Sequence, residues 1–160
     1  MKKIIPILVV IIIILLFVFK LSGEEDTKLV IRENGKEHIV EKIFIYSHPD
    51  AEVFPAVIRS SGKKPVEAEY KGIELSTLFS SLDIDLADVK RITFNATDGY
   101  RIILDIEEVL EPSNVYLTFE MNGEIMKSKK QGGNGPFQLV IRRDPFSQRW
   151  IKHVEEIILE

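Results

Sequence analysis

Residues 131–157 read QGGNGPFQLVIRRDPFSQRWIKHVEEI, and the order of their parts decides the fold. A glycine-rich loop, Gly132-Gly133-Asn134-Gly135, leads into an apolar run over 137–141. That run is too short for a helix and is bounded by Gly-Pro and Asp-Pro, so it reads as a buried strand. An arginine pair, Arg142-Arg143, then an Asp144-Pro145 turn and a Ser147-x-Arg149-Trp150-Ile151-Lys152 run follow it. Residues 156–159 read as a closing strand.

Upstream, the apolar pattern again comes in short pieces separated by turn signals. Residues 28–31 and 37–45 flank Asn34-Gly35, a strong hairpin signal. A strand is predicted over 53–59, with Pro55 marking an edge or a bulge, and another over 66–70. Apolar residues at 75, 78, 79 and 82 have helical spacing. Residues 91–96 and 100–104 meet across Asp98-Gly99, and 115–121 and 124–126 meet across Asn122-Gly123. Residues 106–110 fit one or two helical turns stopped by Pro112. Many short strands with two small helices make an α+β, mostly β domain rather than a doubly wound sheet.

The chain of 160 residues has room for one membrane segment and one domain of ordinary size, and no internal repeat appears. Residues 4–19 form an unbroken apolar run after Met1-Lys2-Lys3, and Leu21 extends it past Lys20. Eighteen helical residues reach about 27 Å, close to the hydrocarbon thickness of a bilayer. Lys2 and Lys3 favour a cytoplasmic N-terminus, and Glu24-Glu25-Asp26 follow on the far side. The expected organisation is therefore an N-terminal transmembrane helix and short tether over 1–23, with an extracytoplasmic domain over 24–160. Residues 4–21 would contact the membrane. A cleaved signal peptide is the competing reading.

The first 20 residues hold three lysines and no acid, which leaves 18 basic against 25 acidic side chains, a net −7. Such a field argues against nucleic acid as a partner. The absence of cysteine removes disulfides, iron–sulfur clusters, cysteine-rich zinc sites and thiol nucleophiles together. His38, His48 and His153 have no two-histidine spacing for zinc, and no nucleophile elbow or phosphate-binding Walker loop is present. Neither a metal site nor a catalytic residue is predicted.

Against this acidic background, Lys127, Lys129, Lys130, Arg142, Arg143, Arg149 and Lys152 fall within 26 residues that contain one acid, Asp144. Backbone amides of the glycine loop could converge on an anion as a nest. The candidate anion site comprises Ser60, Gly132, Gly133, Arg142, Arg143, Arg149, Trp150 and Lys152. Its partner would be a phosphorylated ligand, lipid headgroups or an acidic envelope protein. The alternative is a solvated loop and strand edge whose lysines prevent edge pairing.

Together with Tyr70-Lys71-Gly72-Ile73-Glu74-Leu75, Asp98-Gly99-Tyr100 and Glu120-Met121-Asn122-Gly123-Glu124, the 131–157 stretch resembles the molybdopterin-binding domain of the sulfite oxidase superfamily. The resemblance covers residues 39–160 and implies the fold of that family. It also implies a molybdopterin cofactor, with molybdenum held by a cysteine thiolate, since soft sulfur suits the metal. The matching stretch here is Ile58-Arg59-Ser60-Ser61-Gly62, which places serine at the ligand position in either of two registers. The family's His-Gly-x-Pro-x-Arg element aligns on Pro136, with Gly133 in place of histidine and Gln138 in place of arginine. Lys152 matches a position that can face the cofactor's phosphate.

Three functions follow as expectations. The first is a non-catalytic binding or accessory module that keeps the fold without molybdenum, and hence without a cofactor. The alternatives are a molybdopterin-binding oxidoreductase subunit and a structural cell-envelope protein. The anchor makes a direct prediction. Full-length protein should stay in the membrane fraction through high-salt and carbonate washes, as immunoblotting of the fractions would show. Native protein lacking its first 20 or so residues in the soluble fraction would establish cleavage instead.

Overall fold

Two Asn-Gly pairs set hairpins in the two sheets of the domain. A computed structural model describes residues 28–160. Strands β1 (Lys28–Glu33) and β2 (Lys36–Glu41) turn at Asn34, and the later hairpin turns at Asn122. Both asparagines take positive φ, 47° and 53°, as the hairpin turn between right-twisted strands requires. A five-residue helix α1 (Lys42–Tyr46) follows β2, and then β3 (Glu52–Ile58) and β4 (Val66–Glu74) form an antiparallel pair. Helix α2 (Leu75–Ser81), strands β5 (Arg91–Ala96) and β6 (Arg101–Asp105), and helix α3 (Ile106–Leu110) come next. The chain ends with β7 (Val115–Met121), β8 (Glu124–Ile125), β9 (Gln138–Ile141) and β10 (Val154–Leu159).

The strands form two sheets. The first has the order β2-β1-β10-β5-β6, and the second β3-β4-β7-β8 with β9 also paired to β7. Only the β1–β10 pairing is parallel among those described. The C-terminal strand thus lies in the middle of its sheet, and the Glu160 carbonyl accepts from the Lys90 and Arg91 amides at 2.7 and 3.0 Å. Pro55 sits on β3, at the edge of the second sheet, where a missing N–H disrupts no ladder.

Most predicted elements recur within a residue or two. The expected strand over 37–45 is corrected: it stops at Glu41, and its second half is α1. The β-branched run Ile39, Val40, Ile43 and Ile45 looks like a strand, but the helix exposes Ile43 and buries Ile45. Tyr46 at the end of α1 stacks on Phe119 at 4.8 Å and meets Phe137 edge-on at 6.1 Å, so α1 bridges the two sheets. The closing strand begins earlier than expected, at Val154. Among the described residues no helix is long and apolar enough to cross a membrane, and the apolar run of residues 4–19 lies outside them.

Gly72 explains the glycine in the Tyr70–Leu75 motif. The register of β4 on β7 shifts between Lys71 and Gly72. A Cβ at Gly72 would stand 2.5 Å from the Leu117 carbonyl oxygen and 2.7 Å from the Thr118 Cα, so no side chain fits. Strand β9 lies against β7 with all four residues buried, alongside Phe137 and Ile151. Leu139 is fully buried, so Leu139→Ala should cost about 2–5 kcal/mol in urea unfolding, as deletion of a core side chain does. A cost near zero would place that side chain at the surface.

Candidate functional site

The run 147–154 doubles back along β9, and this hairpin-like return organises the candidate site. The Trp150 indole N–H donates to the Ile141 carbonyl at 2.9 Å, Leu139 N–H donates to Ile151 O at 2.8 Å, and Val154 N–H donates to Phe137 O at 3.0 Å. Lys152 is bridged to Gln138. The basic residues that are neighbours in sequence are therefore drawn to opposite ends of β9. Arg142, Arg143 and Arg149 gather at the Ile141 end. Lys152 lies at the Gln138 end, towards the glycine loop.

At the first end the guanidinium groups are committed to the protein's own acids. Arg149 donates to Glu108 through two nitrogens, at 2.8 and 3.1 Å, and to both oxygens of Asp144. Hydrogen bonds donated to Glu108, then to Asp144, raise its already high pKa further. The Asp144 side chain is 6% exposed, and Arg149 is the cation paired with it. Arg143 pairs with Glu111 and donates to the Pro112 carbonyl at 3.2 Å. Arg142 lies over the rings of Phe54 and Tyr116, at 5.2 and 5.9 Å, a cation–π arrangement, and donates to Ser113 O. Sequence reasoning missed these partners because Glu108 is 41 residues from Arg149 and no local pattern links them.

The glycine loop is closed on itself. Gly132, Gly133 and Gly135 donate their amides to Lys129, Ser128 and Lys127 carbonyls at 2.9, 3.0 and 2.8 Å. The Gly133 backbone approaches so closely that a Cβ would stand 2.2 Å from the Lys127 carbonyl oxygen. The expected anion nest is corrected accordingly: these amides point inward. His153 completes the closure from below. Its ring Nδ1 lies 2.9 Å from the Gly135 carbonyl, which can only accept, so Nδ1 carries the proton. Its amide donates to Asn134 O at 3.1 Å, and its φ of 56° marks the tight turn into β10.

Ser60 is exposed in a turn closed by Lys63 N–H to Ser60 O at 3.2 Å. Its neighbour Arg59 meets Ser147 through two 2.9 Å bonds, amide to Oγ and carbonyl from amide. The structure thereby brings the Ser60 turn to the run that carries Arg149 and Trp150. Tyr100, across the rim, donates its hydroxyl to Gln148 O at 3.1 Å. Asp98 is held below its usual carboxyl range, first by the Tyr100 amide and then by Lys129 and His153. Gln138 is 3% exposed, and its side-chain oxygen meets no hydrogen-bond partner.

Exposed cations remain around the loop at Lys127, Lys129 and Lys152. Beside it a cleft of about 260 Å³ is lined by Met121, Met126, Lys127, Gly132, Gly133 and Asn134 among others. No group of three His, Asp or Glu side chains is placed to hold a metal ion among the described residues. Burial pushes the Tyr70 hydroxyl, edge-on to Trp150 at 5.9 Å, up to about 12, so it stays protonated at neutral pH. The arrangement suits electrostatic contact with an anion better than proton transfer.

The two arginine pairs at the Ile141 end of β9 should differ in energy. Arg149→Met should cost about 1.5–3 kcal/mol, since it removes charge-assisted bonds to a buried carboxylate. Arg143→Met should cost less than about 1 kcal/mol, as exposed ion pairs do. Urea titrations of both variants with Asp144→Ala would reveal coupling for Arg149 alone.

The family model for the oxidoreductase molybdopterin binding domain matches residues 56–160. No curated protein matches the chain in sequence. Among solved structures, the sulfane dehydrogenase SoxCD from Paracoccus pantotrophus is similar in fold, with a TM-score of 0.67 and 18% identity. The match covers 84% of this chain and 38% of that one, so the chain spans well under half of SoxCD's length. With a family model over about two thirds of its residues and a mostly β architecture of the same kind, the chain belongs to the oxidoreductase molybdopterin-binding domain family.

Proposed function

We propose that this protein is a membrane-anchored, extracytoplasmic binding or accessory module that keeps the fold of its family and works without molybdenum. One observation carries the proposal: apart from Lys152, the positions that the resemblance assigns to the family's cofactor hold other side chains or are committed within the protein. The donor set does not fit a molybdenum–molybdopterin group. Ser60 offers an exposed hydroxyl where the family uses a thiolate, and oxygen is the harder donor. Gly133 leaves no space for the family's histidine. Gln138 is buried, and Arg149 is held by two carboxylates.

The positive part of the reading rests on the three lysines around the closed loop. Set on a net −7 domain, they favour an acidic partner or a phosphorylated ligand over a neutral one. They also give specific support to a second reading, an oxidoreductase subunit that grips molybdopterin by its phosphate. Lys152 would then be the residue whose loss releases the cofactor.

Elemental analysis of full-length protein purified from a host that makes the cofactor separates the two. The expected molybdenum content is far below one equivalent, with no sulfite or sulfoxide turnover. Ser60→Cys alone should leave that content unchanged. Adding Gly133→His should lower stability, because the new side chain collides with the Lys127 backbone. Molybdenum near one equivalent in the unmodified protein, lost in Lys152→Ala, would overturn the first reading in favour of the second.

A further inference from the structure

Ile39, Ile43 and Phe44 are 58%, 65% and 38% exposed on β2 and α1. With Val40 and Leu82 they line an open groove of about 520 Å³ whose polar rim is His38 and Glu41. Three large side chains gathered on one surface mark a contact site rather than ordinary surface scatter. The course of the chain indicates what they contact. Strand β1 begins at Lys28, and Lys28 pairs with Glu41, the residue that immediately precedes α1. The chain therefore enters the domain beside this groove. Upstream lie six residues, 22–27, and then the apolar run that ends at Leu21. Six residues span at most about 20 Å even when fully extended.

We propose that the α1 groove rests in the interfacial layer of the bilayer, with Ile39, Ile43 and Phe44 at the boundary between headgroups and acyl chains. This rests on the anchor reading: an inserted run ending at Leu21 holds the β1–β2–α1 corner within the tether's reach of the lipid. Lys42, whose amine lies 5.9 Å from the centre of the Tyr46 ring, sits in the same helical turn, and a lysine there can swing out to headgroups. Docking would fix the domain's orientation and leave the Ser60 and Lys152 region to other partners.

The chain has no cysteine, so Ile43→Cys and Phe44→Cys each accept a single spin label. Ile103→Cys, at a half-exposed position on the far edge strand β6, serves as the reference. Full-length protein is reconstituted in vesicles of phosphatidylcholine and phosphatidylglycerol, and collision rates with oxygen and with a water-soluble nickel chelate are measured. The oxygen-to-nickel ratio should be several-fold higher at 43 and 44 than at 103, unchanged on dilution with unlabelled protein. Equal ratios at all three sites in carbonate-resistant protein would overturn the docking and leave the anchor standing. Spectral broadening at 43 that dilution relieves would assign the groove to a second copy and overturn it too. Release of the protein by carbonate would sink the anchor reading and the docking together.

Discussion

The close approach of the glycine loop to the Lys127–Lys129 backbone is the constraint on which the rest of the site depends. Three loop amides find carbonyl partners within nine residues of chain, so the loop closes without help from a ligand. Closure brings Gly133 against Lys127 so tightly that no side chain fits. It also presents the Gly135 carbonyl to His153, which then turns the chain into β10 at the centre of the first sheet. Strand β9, into which the loop leads, is buried, and a buried backbone group without a partner is costly. A loop shaped to satisfy itself leaves few donors for an anion.

The same economy governs the other end of β9. Arg149 and Asp144 neutralise each other at the edge of the core, and Glu108 on α3 adds a second carboxylate. This ties helix α3 to the run that follows β9. An arginine held by two carboxylates positions the protein's own elements. The geometry thus commits Arg149 and Gly133 to contacts within the fold.

Much of the architecture was legible in the sequence because it is local. Asn34-Gly35 and Asn122-Gly123 demand backbone conformations that few other dipeptides allow, and both are hairpin turns. The apolar spacing at Leu75, Leu78 and Phe79 gave α2 for the same reason: the three residues share one buried face. Helix α1 was not legible, because five residues are too few for a helical period to stand out from a β-branched run. The site was harder still. Gly133 reads as a side chain lost, whereas its neighbours show a position that admits none. The run of seven basic residues suggested one patch, but β9 separates them and distant acids pair with Arg143 and Arg149. Pairings across dozens of residues leave no trace in spacing or composition.

Amide hydrogen exchange at Gly132, Gly133 and Gly135, read residue by residue by NMR in the ligand-free protein, tests the central claim most directly. Amides committed to the Lys129, Ser128 and Lys127 carbonyls should exchange well below the rate of an unstructured chain, whatever anion is added. Exchange at the unstructured rate that slows only when phosphate or a pterin phosphate is supplied would contradict the account, because the loop would then be an open anion site.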